Sequence, residues 1–330
     1  MDDPLLVIDD VHVTFASRHG PVRAVDGVSL EVRRGEVVAL VGESGCGKTT
    51  LLRAVLGLEP ITSGSVRFDG RLADYGGRAL RGLRRKAQMV FQDPTGALNP
   101  RHTVYEAVAE GIRIHGVPGN ETDLVAGALG RAGLRPAGRF VGRYPHEISG
   151  GQRQRVLIAG AIALSPKLIL ADEPVASLDA SVRGEILLLL RSLVDESGLS
   201  IVAVTHDLGM AWNIADRIAV MYLGKVVELG TTEQVLESPQ HPYTKALLSV
   251  VPETKHVEPQ ILTGEIPDPS AIPTGCRFHP RCPLLLAGGA ALLGVSDRCT
   301  GVPVELEDQG AGHVAACHAL TASDHQPMGV

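Results

Sequence analysis

The chain has 330 residues, of which 44% are hydrophobic and 21% charged, with 38 glycines and 21 prolines. That length fits roughly two domains of about 150 residues each, and the composition excludes the disordered, collagenous and fibrous classes. Thirty-one Lys and Arg stand against 37 Asp and Glu for a net charge of −6, so there is no domain-wide positive field to hold a phosphodiester backbone, and nucleic acid is not expected as a partner.

Strand-like segments open the chain at residues 5–15 and 22–32, joined by a polar turn, and residues 36–41 form a third strand, apolar from Val37 to Val41. Aromatics make up only 3%, so the core is aliphatic, and the Val/Ile/Leu runs at 37–41, 168–170 and 201–204 read as strands buried on both faces of a parallel sheet. A helical pattern follows at 48–58. From about 97 to 157 the alternation gives way to helix-period apolar residues at 104–114 and 123–134, which reads as a helical insertion. Beyond Gln152 the order becomes helix, strand 168–171, helix 182–194, strand 200–205 and helix 208–217, the alternation of parallel βα units. Proline and charge mark a boundary after Val251, dividing the chain into 1–251 and a loop-rich tail, 252–330. The start lacks the basic region of a signal peptide, and the longest uncharged apolar stretch, residues 284–295, is short of the about 20 residues that span a bilayer, which sets the expectation of a cytoplasmic protein.

The sharpest chemical signal is residues 42–49, Gly42-Glu43-Ser44-Gly45-Cys46-Gly47-Lys48-Thr49, placed after a strand and before a helix. Glycines allow successive backbone N–H groups to converge on phosphate oxygens, and the following helix adds the positive end of its dipole. Lys48 would neutralise the β/γ-phosphates and Thr49 would offer its hydroxyl to Mg²⁺. Strand 168–171 delivers Asp172 and Glu173 at its carboxyl end, where ligands bind in open α/β sheets. Asp172 is assigned to the Mg²⁺ shell and Glu173 to polarising the attacking water. Between these elements, Ser149-Gly150-Gly151-Gln152 opens a helix with a good N-cap and free N–H groups. One nucleotide cannot use two such loops of one chain, so a nucleotide held between two subunits makes the best sense of both.

Taken together these residues resemble the ATP-binding subunit of an ABC (ATP-binding cassette) transporter, over about residues 5–250. The resemblance implies an α/β phosphate-loop nucleotide-binding domain with an inserted helical subdomain, and a small cysteine-containing C-terminal domain. It assigns residues 42–50, Thr50 included, to the phosphate loop and Gln92 to the segment that senses Mg²⁺. Ser149–Gln152 become the signature that faces the partner's nucleotide, Asp179 belongs to the loop after the carboxylate pair, and His206 becomes the histidine that contacts the γ-phosphate. Phe15 resembles the aromatic that stacks on adenine, and a core aromatic ending a strand is the alternative. Ile148 departs from the usual Leu, an isosteric change. The segments 91–101, 145–147, 241–247 and 275–283 are similar to the dipeptide/oligopeptide permease branch, which has nickel importers as close relatives. The implied partners are a second ATPase subunit, identical or homologous, two transmembrane permease subunits and, indirectly, an extracytoplasmic solute-binding protein, with the chain peripheral on the cytoplasmic face of the membrane. A soluble DNA-repair ATPase on the same cassette would need heptad arms or C-x-x-C pairs, and neither appears.

Cys46 stands alone, whereas Cys276, Cys282, Cys299 and Cys317 all fall in the last fifth of the chain. In a cytosolic protein such clustering points to metal before disulfide. Their separations of five, sixteen and seventeen residues lack the tight pair of structural zinc, and four thiolates suit an iron–sulfur cluster. The permease branch is associated with [4Fe-4S] clusters at matching cysteines. The long gap before Cys299 leaves zinc and unliganded thiols open, with His279, His313 or His318 as substitute ligands.

Overall fold

The computed structural model describes residues 3–18, 20–250 and 260–323. Strands β1 (Leu6–Phe15) and β2 (Val22–Val32) pair antiparallel, and β1 also pairs with β4 (Ser63–Phe68), which is followed by the short β5 (Arg71–Leu72), giving one sheet in the order β2-β1-β4-β5. The second sheet has a parallel centre. There β3 (Val37–Val41) lies between β8 (Ser200–Thr205) and β9 (Arg217–Tyr222), and β7 (Leu168–Asp172) and β6 (Ala87–Val90) follow on the β8 side. Beyond β9 the sheet turns antiparallel through β10 (Lys225–Thr231) and two tail strands, β11 (Glu307–Asp308) and β12 (Val314–Ala315). The tail thus extends the edge of the main sheet, with Glu228 opposite Ala315 and Leu229 opposite Val314.

The two-residue period of a strand explains how β3 serves three cores at once. Val38 and Leu40 face the antiparallel sheet, Val37 packs with the helices on the opposite face, and Ala39 and Val41 join a third cluster that includes Tyr243 and Phe278. No residue of β3 is exposed, as its unbroken apolar run requires.

Helix α1 (Lys48–Val55) follows β3, and α2 (Gly77–Lys86) precedes β6. Between β6 and β7 the chain runs through α3 (Pro94–Ala97), α4 (Val104–His115), α5 (Glu121–Arg131) and α6 (Gly150–Ile162). Their starts are written in the sequence. Thr103 and Glu106 form a capping box on α4, Asn120 caps α5, and Ser149 with Gln152 forms the box on α6. Helix α7 (Ala180–Ser197) closes on Gly198 in the left-handed region. Helix α8 (Leu208–Ile214) ends three residues before the expected Arg217, because Arg217 already pairs with Thr231 as the first residue of β9. Two further helices, α9 (Thr232–Glu237) and α10 (Pro242–Ser249), lead to the tail. Segment 284–295, the longest uncharged apolar stretch, is broken into the helical turns Pro283–Leu286 and Gly289–Leu292 by Gly288 at φ +79°.

Candidate functional site

The carboxyl ends of β3, β6, β7 and β8 lie side by side, so the residues that follow these strands converge. The phosphate loop leaves β3 through Gly42 and enters α1 through Gly47. A Cβ on Gly42 would lie 2.1 Å from the Met221 carbonyl oxygen, and one on Gly47, at φ +105°, would lie 2.0 Å from that of Ala24. Neither backbone can retreat, so both positions require glycine. Gly47 caps α1 without a side-chain hydrogen bond, which leaves the first N–H groups of the helix available to an anion.

Lys48 is buried, and its Nζ donates to the carbonyl oxygens of Gly42 at 2.6 Å and Glu43 at 2.9 Å, holding the loop curled. Cys46 contributes backbone to the loop, while its side chain is buried in the core beneath and burial pushes its thiol above the ordinary range. Ser44, Gly45 and Thr50 complete the turn and the start of α1. Thr49 Oγ1 donates to Asp172 Oδ1 at 2.8 Å, tying α1 to the end of β7. Burial raises the Asp172 carboxyl above its ordinary value, against the Thr49 hydrogen bond, and the neighbouring Glu173 adds to the rise. A hydroxyl and a carboxylate placed together are the hard oxygen donors that Mg²⁺ takes, so this pair fits the ion and would hold it beside the phosphates.

Glu173 sits between two side chains. Gln92 Nε2 donates to its Oε2 at 3.0 Å, and His206 Nδ1 stands 3.3 Å from its Oε1. Gln92, expected at Mg²⁺, therefore engages the carboxylate one residue on from the metal pair. Glu173 has φ +44°, unusual for a residue with a side chain, and its N–H donates to the Val204 carbonyl at 3.0 Å. Strain of this kind, of order 1 kcal/mol, persists where surrounding structure fixes it, and here it turns the carboxylate out from the strand end. His206 does not cap α8; Asp207 does, accepting from the N–H groups of Gly209 and Met210.

Ser149 to Gln152 lie at the exposed start of α6, and among the described residues none of them hydrogen-bonds to this chain's own phosphate loop. A Cβ on Gly151 would lie 2.5 Å from Val182 Cγ1, so the signature packs against the start of α7. Asp179 caps that helix by accepting from Val182 N–H at 3.0 Å, a bond that holds its carboxyl below the usual range. Phe15 ends β1 with about a third of its surface exposed, which suits a stacking face better than a core position.

Two participants escaped the sequence reading. The Tyr243 hydroxyl on α10 accepts from Glu43 N–H at 2.9 Å, and Arg281, in the tail, grips the Glu43 carboxylate through Nη1 at 2.7 Å and Nη2 at 3.0 Å. Arg281 lies inside segment 275–283, quoted above for its likeness to the permease branch, but nothing in its spacing points 238 residues back to the loop.

The four tail cysteines line one cavity of about 20 Å³, together with His241, His279 and His318. Burial pushes the Cys276 thiol up to about 12 and the Cys317 thiol up to about 11, and the other tail cysteines add to both rises. The cysteines are therefore neighbours, but among the described residues no group of three or more His, Cys, Asp or Glu is closed into a metal-binding set. His313 is ruled out as a substitute ligand. It is buried elsewhere, with Nε2 2.8 Å from Glu228 Oε1.

Everything gathered at this edge of the parallel strands serves a triphosphate and its metal, which makes the chain a P-loop nucleotide-binding protein. Residues 25–176 match the ABC transporter family, and residues 227–287 match the C-terminal region of oligopeptide/dipeptide transporters. The oligopeptide transport ATP-binding protein AppF of Bacillus subtilis is 41% identical over 92% of this chain and 92% of its own. OppF of Salmonella typhimurium, with the same description, is 43% identical over 85% of this chain and 89% of its own. The ATP-binding cassette MJ0796, solved as a dimer in a post-hydrolysis state with ADP and Pi, superposes with a TM-score of 0.62 at 30% identity, covering 69% of this chain and 98% of that one. The chain belongs to the ATP-binding proteins of ABC transporters. Among the described residues no helix is long and apolar enough to cross a membrane.

Proposed function

We propose that this chain is the ATP-hydrolysing motor subunit of an ABC importer for di- or oligopeptides, peripheral on the cytoplasmic face of the membrane. Two cassettes close around two ATP molecules, each phosphate loop opposite the partner's signature, and reopen after hydrolysis. The observation that carries this reading is the bracketing of Glu173 by Gln92 and His206 beside the Thr49–Asp172 pair. Residues 1–251 act as the ATPase domain. The insertion, residues 97–157, faces two transmembrane permease subunits, and Gln92 joins it mechanically to the nucleotide; a solute-binding protein delivers the peptide to those subunits. The test is purification of the full chain from membranes in mild detergent with every associated chain identified. The expected result is a second cassette and two integral membrane chains, with ATPase activity raised by a peptide-loaded binding protein. A lone chain hydrolysing ATP at full rate would overturn the reading.

Within the tail, residues 252–330, we assign Cys276, Cys282, Cys299 and Cys317 to a structural or regulatory [4Fe-4S] cluster. The convergence of four sulfurs on one cavity supports this, and their high thiol pKa values mean that ligation would release protons. Protein isolated anaerobically is expected to be brown, to absorb broadly near ~400 nm and to contain iron and sulfide. Colourless protein, with one zinc per chain or no metal, would refute the cluster and leave the ATPase untouched.

A further inference from the structure

We propose that Arg281, a tail residue, is a positioning residue of the nucleotide site: it neutralises Glu43 and braces the phosphate loop. Glu43 places a carboxylate on the loop that must receive the anionic phosphates, where an uncompensated negative charge opposes binding. Arg281 meets it with a two-pronged ion pair, the geometry that fixes a carboxylate's orientation as well as its charge. The arginine itself is 5% exposed. Its guanidinium lies 6.0 Å from the centroid of the Tyr222 ring, its Nη1 is 3.5 Å from the Tyr222 hydroxyl, and among the described residues its Nε has no partner. Its polar contacts thus point at the loop and at the end of β9, where the Met221 carbonyl closes against Gly42.

The brace has two further points of attachment. Tyr243 accepts the Glu43 N–H, and Tyr222, Tyr243 and Phe278 pack with ring centroids 4.8 to 5.3 Å apart, joining β9, α10 and the tail. Arg281 ends a 3-10 turn, His279–Arg281, between Cys276 and Cys282, both of which line the cysteine cavity. The segment carrying the arginine therefore lies between the cysteine cavity and the end of β9, where Phe278 packs on Tyr222 and Arg277 Nη1 donates to the Leu223 carbonyl at 2.6 Å.

Binding of the Mg complex of AMP-PNP to the purified full chain, measured by calorimetry, tests the assignment, with thermal unfolding of the nucleotide-free chain as the folding control. Arg281→Ala is expected to raise Kd about tenfold. Arg281→Ala with Glu43→Gln should return Kd to within about threefold of wild type, because the charge that needed compensation is gone. A residue that merely holds the tail folded would show no such rescue. Unchanged Kd in Arg281→Ala, or a double variant as weak as the single one, would overturn the proposal. If Arg281→Ala does not fold, Arg281→Gln decides: it keeps most of the side chain's bulk but not its charge and should raise Kd about tenfold, and an unchanged Kd would overturn the proposal.

Discussion

Glu173→Gln is expected to retain Mg-ATP affinity while losing at least about a hundredfold in turnover in the assembled transporter. The substitution keeps the shape of the side chain and leaves Lys48 on the loop carbonyls and Thr49 on Asp172, so the groups that hold phosphate and metal are untouched. What disappears is the acceptor. In the wild type, Gln92 and His206 reach opposite oxygens of the Glu173 carboxylate and hold it turned out from β7, ready to take a proton from an attacking water. A neutral amide can accept a hydrogen bond there but cannot remove a proton from the water. Turnover should stall with ATP bound, and the closed two-cassette state should accumulate, visible as an ATP-dependent dimer by light scattering. Full activity of Glu173→Gln in the complex would show that the base lies elsewhere.

What could be read in the chain beforehand follows from how local each constraint is. The phosphate loop is set by sterics within one turn, and the strand before it by an unbroken apolar run, so both were legible. The starts of α4 and α6 were legible for the same reason, since a cap and its N3 partner lie three residues apart, whereas α5 starts at Glu121, two residues before the expected 123. Strands β4, β5, β6 and β10 were not picked out, because each is half exposed, short or broken in pattern until its neighbour is known, and β9 was missed although all but Arg217 is buried. The end of α8 was missed because long-range pairing of Arg217 with Thr231 decides it. At the site, the residue types were legible and their mutual bonds were not. The bond from Gln92 to Glu173 and the positive φ of Glu173 have no sequence sign. Arg281 and Tyr243 reach the loop only through the tertiary fold, which also pairs His313 with Glu228 away from the cysteines.

Lys48→Ala should fail at the opposite step from Glu173→Gln, raising the Kd for Mg-ATP by about a hundredfold. In the structure the ammonium is buried and donates to two loop carbonyls, Gly42 and Glu43, which it draws to the inside of the turn. That inward pull leaves the loop's N–H groups to face a ligand, so the lysine shapes the cradle before it meets a phosphate. Burial keeps the thiol of Cys46, 3.7 Å from the lysine nitrogen, neutral at pH 7, so it supplies no competing anion. Truncation to alanine removes the charge that would meet the β/γ-phosphates and leaves two carbonyls without their donor, so both the attraction and the preformed loop are lost. Lys48→Arg separates the two contributions: it keeps the charge, but a planar fork cannot occupy the buried position of a compact ammonium between those carbonyls. Its Kd should fall between wild type and Lys48→Ala. Calorimetric titration of the full chain with Mg-AMP-PNP checks the series, and wild-type affinity in Lys48→Ala would remove the lysine from the phosphate site.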